Sequence, residues 1–302
     1  MKTRDWLLFG FLGIVWGTSF LWIKIAVTEV SPLVLVGFRT LIAAAGVGVF
    51  IFLDRKTKVA WPEVRARLGI FFILGLINIS MPFLLISWAE KTIDSGMASI
   101  LNATMPLFTI LISPLFVNDD RINLPKALGL LAGFIGVVIL FYPSVQGGWS
   151  DHLVGQLAML AAALCYASGT VYARKKAHGL PPQMQAFLQL FMSTLIIWSL
   201  AFVIERPITL PQLPVTWLAL AWLGLLGTGL AYIIYFYLLP RIGPTRMSMV
   251  TYIPPLVGMI LGIVVLGEVF YWQSLLGALL ILSGITIVNY QPKLKIPADQ
   301  SG

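Results

Sequence analysis

Apolar residues fill ten long runs of the chain, near 6–27, 32–53, 68–89, 95–117, 125–142, 153–173, 182–204, 215–239, 246–267 and 271–290, and polar residues gather in the short gaps between them. A helix needs about 20 such residues to cross a bilayer, and most of the runs meet that length. Backbone amides cannot stay unpaired in lipid, so long apolar runs built of helix formers predict helices rather than barrel strands. The first run begins after Lys2 and Arg4, lacks a small-residue cleavage site and continues through the polar patch Trp16-Gly17-Thr18-Ser19. It therefore reads as a retained helix and not as a cleaved signal peptide. The pattern predicts an all-α integral membrane protein of ten transmembrane helices.

Composition agrees and narrows the function. Of 302 residues, 59% are hydrophobic and 11% charged, with mean hydropathy +0.92. A soluble domain carries about 25% charged residues. Ten spans take up roughly 200 positions, which leaves too few for an extramembrane domain. A soluble enzyme, a nucleic-acid binder and a disordered tail protein are excluded. Cys165, the one cysteine, lies in an apolar run and says nothing of redox compartment. A net charge of +8 would suggest nucleic acid in a soluble chain. Here it marks orientation. With the N-terminus inside, sixteen basic residues fall at cytoplasmic ends: Lys2, Arg4, Arg55, Lys56, Lys58, Arg65, Arg67, Arg121, Lys126, Arg174, Lys175, Lys176, Arg241, Arg246, Lys293 and Lys295. The opposite side keeps only Lys91 and Arg206, while Lys24 and Arg39 fall inside helices. That asymmetry predicts both termini in the cytoplasm.

The two halves also resemble each other. A shift of 150 residues pairs Trp16 with Tyr166, Thr18 with Ser168, Lys24 with Arg174, Pro32 with Pro182 and Arg39 with Gln189. A shift of 149 pairs Ser99 with Ser248 and Pro106 with Pro255; a shift of 148 pairs Asp120 with Glu268, Gly129 with Gly277 and Gly136 with Gly284. Such drift suits short loop deletions between repeats. Five crossings per repeat must turn the second over, giving two inverted five-helix repeats, 1–145 and 150–291, with a short cytoplasmic tail at 292–302. Inverted repeats offer a near mirror state open to the other side, with a site at the repeat interface near the midplane.

Several motifs then carry a family resemblance. Trp16-Gly17-Thr18-Ser19-Phe20, Ser31-Pro32 followed by Arg39, and Ala98-Ser99 leading to Pro106 resemble the first repeat of an EamA-type drug/metabolite transporter. Pro254-Pro255, Gly267-Glu268 and Gly277 through Gly284 resemble that family's closing pattern, and together the motifs span roughly 6–290. The first repeat departs from it with Asn118-Asp119-Asp120 where the second has Gly267-Glu268. The resemblance implies a secondary transporter of small metabolites, often exporting amino acids or related compounds, in the bacterial cytoplasmic (inner) membrane.

Depth singles out the polar residues that matter. Arg39 stands seven residues after Pro32, roughly 11 Å below the outer surface. A buried arginine costs about 3 kcal/mol even on the lenient insertion scale. It should therefore meet a partner (Glu29, Glu90, Asp94 or Glu268), or attract a substrate carboxylate or serve an outer gate. Lys24, near the outer end of the first helix, should snorkel. Trp16 and Asn78 fall roughly 15 Å from the inner surface, and Asn102 lies roughly 12 Å deep from the outer side. Asn78 and Asn102 either join helices or orient a polar solute. Trp16 and Tyr166 are matched aromatics that would flank a cavity and contact apolar or cationic solutes, or else pack against core or lipid. Gln189 enters from the opposite side of the midplane as the counterpart of Arg39. Tyr232, Tyr235 and Tyr237 read as an interfacial belt, and Trp88, Trp198 and Trp272 fit belt positions. Pro106 and Pro255 interrupt matched helices, as hinges or as static bends. Gly129, Gly133 and the Gly277–Gly284 pair suit close packing of the fifth and tenth helices.

The substrate-binding candidates are thus Trp16, Arg39, Asn78, Asn102, Tyr166 and Gln189. Glu90, Asp94 and Glu268 are the gate or coupling candidates, all at outer helix ends. No phosphate-binding loop is present, and His152 and His178 fall in loops on opposite sides. No enzyme constellation, metal site or cofactor is expected. The expected partners are a small-molecule solute and membrane lipid, without nucleic acid, in a monomer or a dimer. A channel or receptor-like protein is the alternative to a carrier, and proton coupling and facilitated exchange both stay open.

Overall fold

A computed structural model describes residues 3–54, 59–116, 123–146, 150–242, 247 and 249–289. Asn118-Asp119-Asp120, Arg246, Ser248 and the cytoplasmic tail lie outside these residues. Among the described residues, nine helices are long and apolar enough to cross a membrane, and a tenth apolar helix is shorter. They are α1 (Thr3–Ala26), α2 (Pro32–Leu53), α3 (Leu68–Ala89), α4 (Ser95–Phe116), α5 (Leu124–Val145), α6 (Asp151–Lys176), α7 (Pro182–Ile204), α8 (Pro214–Leu239), α9 (Met249–Leu266) and α10 (Trp272–Val288). One further short helix, Trp61–Arg65, lies in the gap before α3.

Local chemistry sets the ends. Ser31 caps α2, its hydroxyl accepting from the Val34 amide at 3.1 Å, and Pro32 follows where its fixed φ suits a first turn. Gly267 ends α9 at φ 69°, the left-handed conformation that glycine adopts without a Cβ penalty. Matched helices are broken at matched places. α4 breaks at Ala103–Thr104, so that Pro106 stands in the first turn of its second half. In α9 a 3-10 turn, Met249–Tyr252, precedes Ile253, and Pro255 again falls in the first turn. Both prolines sit where the missing amide costs least.

The helices pack across the repeats as a closed set. α1 packs on α8 and α9, as α6 does on α3 and α4; α2 packs on α8, as α7 does on α3; and α2·α7, α4·α9 and α5·α10 pair with their own counterparts. Exchanging the two repeats returns the same contacts, as a two-fold axis requires. The α5·α10 seam shows it atom by atom. A Cβ on Gly129 would come within 2.4 Å of the Gly284 oxygen, and one on Gly136 within 2.8 Å of the Gly277 oxygen. A shift of 148 carries the first contact onto that of a Gly277 Cβ with the Gly136 oxygen, 3.0 Å. The fold is therefore an all-α membrane protein of two inverted five-helix repeats, with its largest core cluster drawn from both. Leucines and valines such as Leu131, Val138, Leu195 and Leu279 stay exposed on the outside, as faces turned to lipid are.

Candidate functional site

Two helices depart from α geometry at equivalent positions: α3 carries a π segment at Leu76–Ser80, and α8 one at Trp222–Leu230. A π turn widens the helix and frees main-chain groups, and such turns concentrate at functional sites. Asn78 and Thr228 lie in these segments, and they too are 150 residues apart.

Each π segment is bonded to the helix opposite at a matched position. Arg39 Nε donates to Thr228 Oγ1 at 3.0 Å, and Asn78 Nδ2 donates to Gln189 Oε1 at 3.0 Å. Exchanging the repeats maps one bond onto the other. Arg39 is only 6% exposed, and its guanidinium lies over the Phe83 ring, 3.8 Å from the centroid. Tyr166, Tyr232 and Glu90 act on it electrostatically. Among the described residues, no carboxylate forms an ion pair with Arg39. Glu29, offered as a partner, binds instead to the amides of Gln212 and Leu213 and the hydroxyl of Thr216. Glu268 is also committed elsewhere, accepting from the Ser95 and Gly96 amides at 2.7 and 3.2 Å.

Tyr166 packs edge-on against Phe83, ring centroids 6.5 Å apart, which brings it to Arg39. Trp16 goes elsewhere. Its ring lies 6.0 Å from that of Tyr235 in a separate cluster with Leu12 and Leu238. The matched aromatics thus occupy different environments. Asn102 stands just ahead of the α4 break with its Oδ1 buried and without a hydrogen-bond partner. Ser80 and Ser193 share a further hydrogen bond of 2.8 Å between the same two helices as the Asn78–Gln189 pair.

Three expectations need correction. Lys24 does not snorkel: its ammonium donates to the Glu90 and Ile93 carbonyls at 2.7 and 2.8 Å, satisfying helix-end oxygens that lipid cannot. Tyr232 is no belt residue: it packs against the central core and acts electrostatically on Arg39. Trp198 packs edge-on to Phe38 with its Nε1 buried and without a hydrogen-bond partner, which is not how an interfacial indole sits. Trp88 and Trp272 are exposed, as belt residues are.

The turn between α3 and α4 and the turn after α9 are bound together around a carboxylate cluster. Asp94 occupies the N-cap position of α4 but makes no cap bond, because Glu268 from the other repeat takes the amides there. Burial and the neighbouring Glu268 push the Asp94 carboxyl above its ordinary value. The crevice between them is narrow, about 20 Å³, room for about one water. Sequence reasoning missed Phe83, Thr228 and Tyr232. The 150-residue offset would have paired Thr228 with Asn78, but nothing in the sequence announces Phe83.

Known proteins resemble this chain along nearly its whole length. The EamA-like transporter family matches twice, over residues 5–142 and 153–290. The chain is 30% identical over 260 residues to the uncharacterized inner membrane transporter YedA of Escherichia coli K12, covering 85% of this chain and 81% of that one. It is 27% identical over 314 residues to a probable amino-acid metabolite efflux pump of Salmonella typhimurium, with both chains covered in full. The uncharacterized transporter YoaV of Bacillus subtilis is 26% identical over 276 residues, covering 90% and 92%. A solved crystal structure aligns at TM-score 0.65 and 21% identity over 95% of this chain and 96% of its own, a likeness of fold. The chain belongs to the EamA-like transporter family and is a multi-pass membrane transporter of small metabolites.

Proposed function

We propose that the protein is an alternating-access carrier that exports small carboxylate-bearing metabolites of amino-acid type, with Arg39 as the carboxylate anchor. One observation carries this reading: a buried guanidinium at the repeat interface that, among the described residues, has no carboxylate of its own. Such a charge is too costly in a membrane to keep without use, and its planar fork matches a carboxylate. Phe83 and Tyr166 line the guanidinium, while Asn78, Asn102 and Gln189 supply neutral donors and acceptors to the polar remainder of the solute. The inverted repeats supply the second, oppositely open state. Breaks at Pro106 and Pro255 give α4 and α9 the places to bend. The efflux pump of Salmonella typhimurium supports the amino-acid class and the outward direction. Both termini face the cytoplasm in this reading, on the count of basic residues.

Counterflow in proteoliposomes tests it, with labelled amino acids, nucleosides and cationic dyes as probes. The expected result is saturable exchange of carboxylate-bearing probes that Arg39→Ala abolishes while folded yield stays near wild type. Exchange confined to dyes or nucleosides, or an Arg39→Ala variant as active as wild type, overturns the anchor. Flux without counterflow identifies a channel instead.

A further inference from the structure

Glu90 begins the turn after α3, at the outer end of the helix that carries both Asn78 and Phe83. It is 0% exposed, and neither of its carboxyl oxygens has a hydrogen-bond partner. A carboxylate in that position would be among the most expensive groups in the molecule. The charged groups that face it come from three elements: Lys24 on α1, Arg39 on α2 and Glu268 in the turn after α9. His152 of α6 acts on the neighbouring Asp94 instead. Lys24 is close but engaged, since its ammonium donates to the main-chain oxygens of Glu90 and Ile93. Burial pushes the Glu90 carboxyl well above its ordinary range; Lys24 and Arg39 pull it down, and Glu268 raises it further.

Resting on the carrier reading above, we infer that Glu90 is the carrier's proton-binding site, holding one proton while the outer ends are bound together and releasing it to the outer water when they part. The only bond that forms or breaks is the carboxyl O–H, and the proton is taken from one aqueous compartment and left in the other. The sign of coupling to the solute follows from Arg39. An ionised Glu90 and a solute carboxylate both draw on that single guanidinium, so a neutral Glu90 leaves it to the solute. Linkage makes the effect reciprocal: a bound carboxylate favours the proton as much as the proton favours the carboxylate. Proton and solute therefore travel in the same direction, so export is driven by the solute's own outward gradient, which carries a proton out with it, and ionisation of Glu90 at the outer side helps to displace the solute.

The test uses the purified full chain. Infrared difference spectra should show the carbonyl stretch of a protonated carboxylic acid at neutral pH, absent in Glu90→Gln and shifted in Glu90→Asp. In proteoliposomes, a labelled mixture of L-amino acids should accumulate under an inwardly directed proton gradient. Glu90→Gln should keep solute-for-solute exchange and lose that accumulation entirely. A wild-type protein without the protonated band, a band that survives in Glu90→Gln, or accumulation driven by the opposite gradient overturns the inference. Failure of the carrier reading shows differently: wild type then exchanges no amino acid at all, while the infrared band still reports the state of Glu90.

Discussion

Arg39 and Gln189 are the same position of the two repeats, and each bonds to the π segment of the helix opposite at the same distance, 3.0 Å. The geometry is repeated but the charge is not. One half of the interface holds a cation and the other a neutral amide, so in the proposed function an anionic solute meets an attractive pole at one depth only. In that reading, a symmetric frame around an asymmetric charge holds one solute in two states while its carboxylate keeps a fixed partner.

Arg39→Gln makes the two halves alike and removes the pole. Saturable exchange of carboxylate-bearing solutes should fall roughly 10–100-fold, the equivalent of a charge-assisted hydrogen bond of about 1.5–3 kcal/mol. Arg39→Lys should recover only part of it, because an ammonium loses the planar fork. Counterflow at matched folded protein measures both.

The Asn78–Gln189 bond separates structural from solute roles. Asn78→Leu and Gln189→Leu remove a bond between helices that is worth about 0.6–2 kcal/mol in membranes. If the bond only joins α3 to α7, a double-mutant cycle of thermal stability in detergent will show coupling of that size and exchange will be preserved. The site reading expects the solute KM to rise in each single variant by more than the stability loss accounts for.

The seam of α5 and α10 should be intolerant of any side chain. Gly284→Ala places a methyl 2.4 Å from the Gly129 oxygen, and that oxygen belongs to backbone and cannot rotate away. Overpacking of this kind costs about 1–3 kcal/mol. Gly277→Ala, whose Cβ would stand 2.5 Å from Leu140 Cγ but 3.0 Å from the Gly136 oxygen, meets a side chain that can shift and should lower the melting temperature in detergent by less.

Glu29 offers a pH test outside the spans. Its hydrogen bond from Thr216 and those from the Gln212 and Leu213 amides hold its carboxyl below the ordinary 4.5, against the opposing effect of burial. A carboxyl held low contributes stability that is present above its ordinary value and lost as pH falls through the lowered one. The tie between the α1–α2 and α7–α8 loops should therefore persist at neutral pH and release on strong acidification. Amide exchange at Gln212 and Leu213 reads this directly, and Glu29→Gln should show the released rates at neutral pH.

Much of the fold was legible because lipid leaves few choices. Run length gave the helices, the gaps gave the loops, and the matched residues Pro32 and Pro182 or Gly129 and Gly277 exposed the repeat. The site was legible only in part. Arg39 and Gln189 stood out because polar groups are costly at their depth, but an apolar residue such as Phe83 carries no such mark in a chain that is 59% hydrophobic.

The sequence by itself determined an all-helical membrane protein of two inverted halves, because hydropathy and periodicity are properties of the chain read one segment at a time. Tertiary structure decided which partners meet. Lys24 turned inward to bare carbonyls, Tyr232 turned to Arg39, and Glu268 took the amides that Asp94 stands beside. Each outcome follows from the rule that a polar group shut away from water must find another polar group, and which one lies within reach depends on how the helices pack.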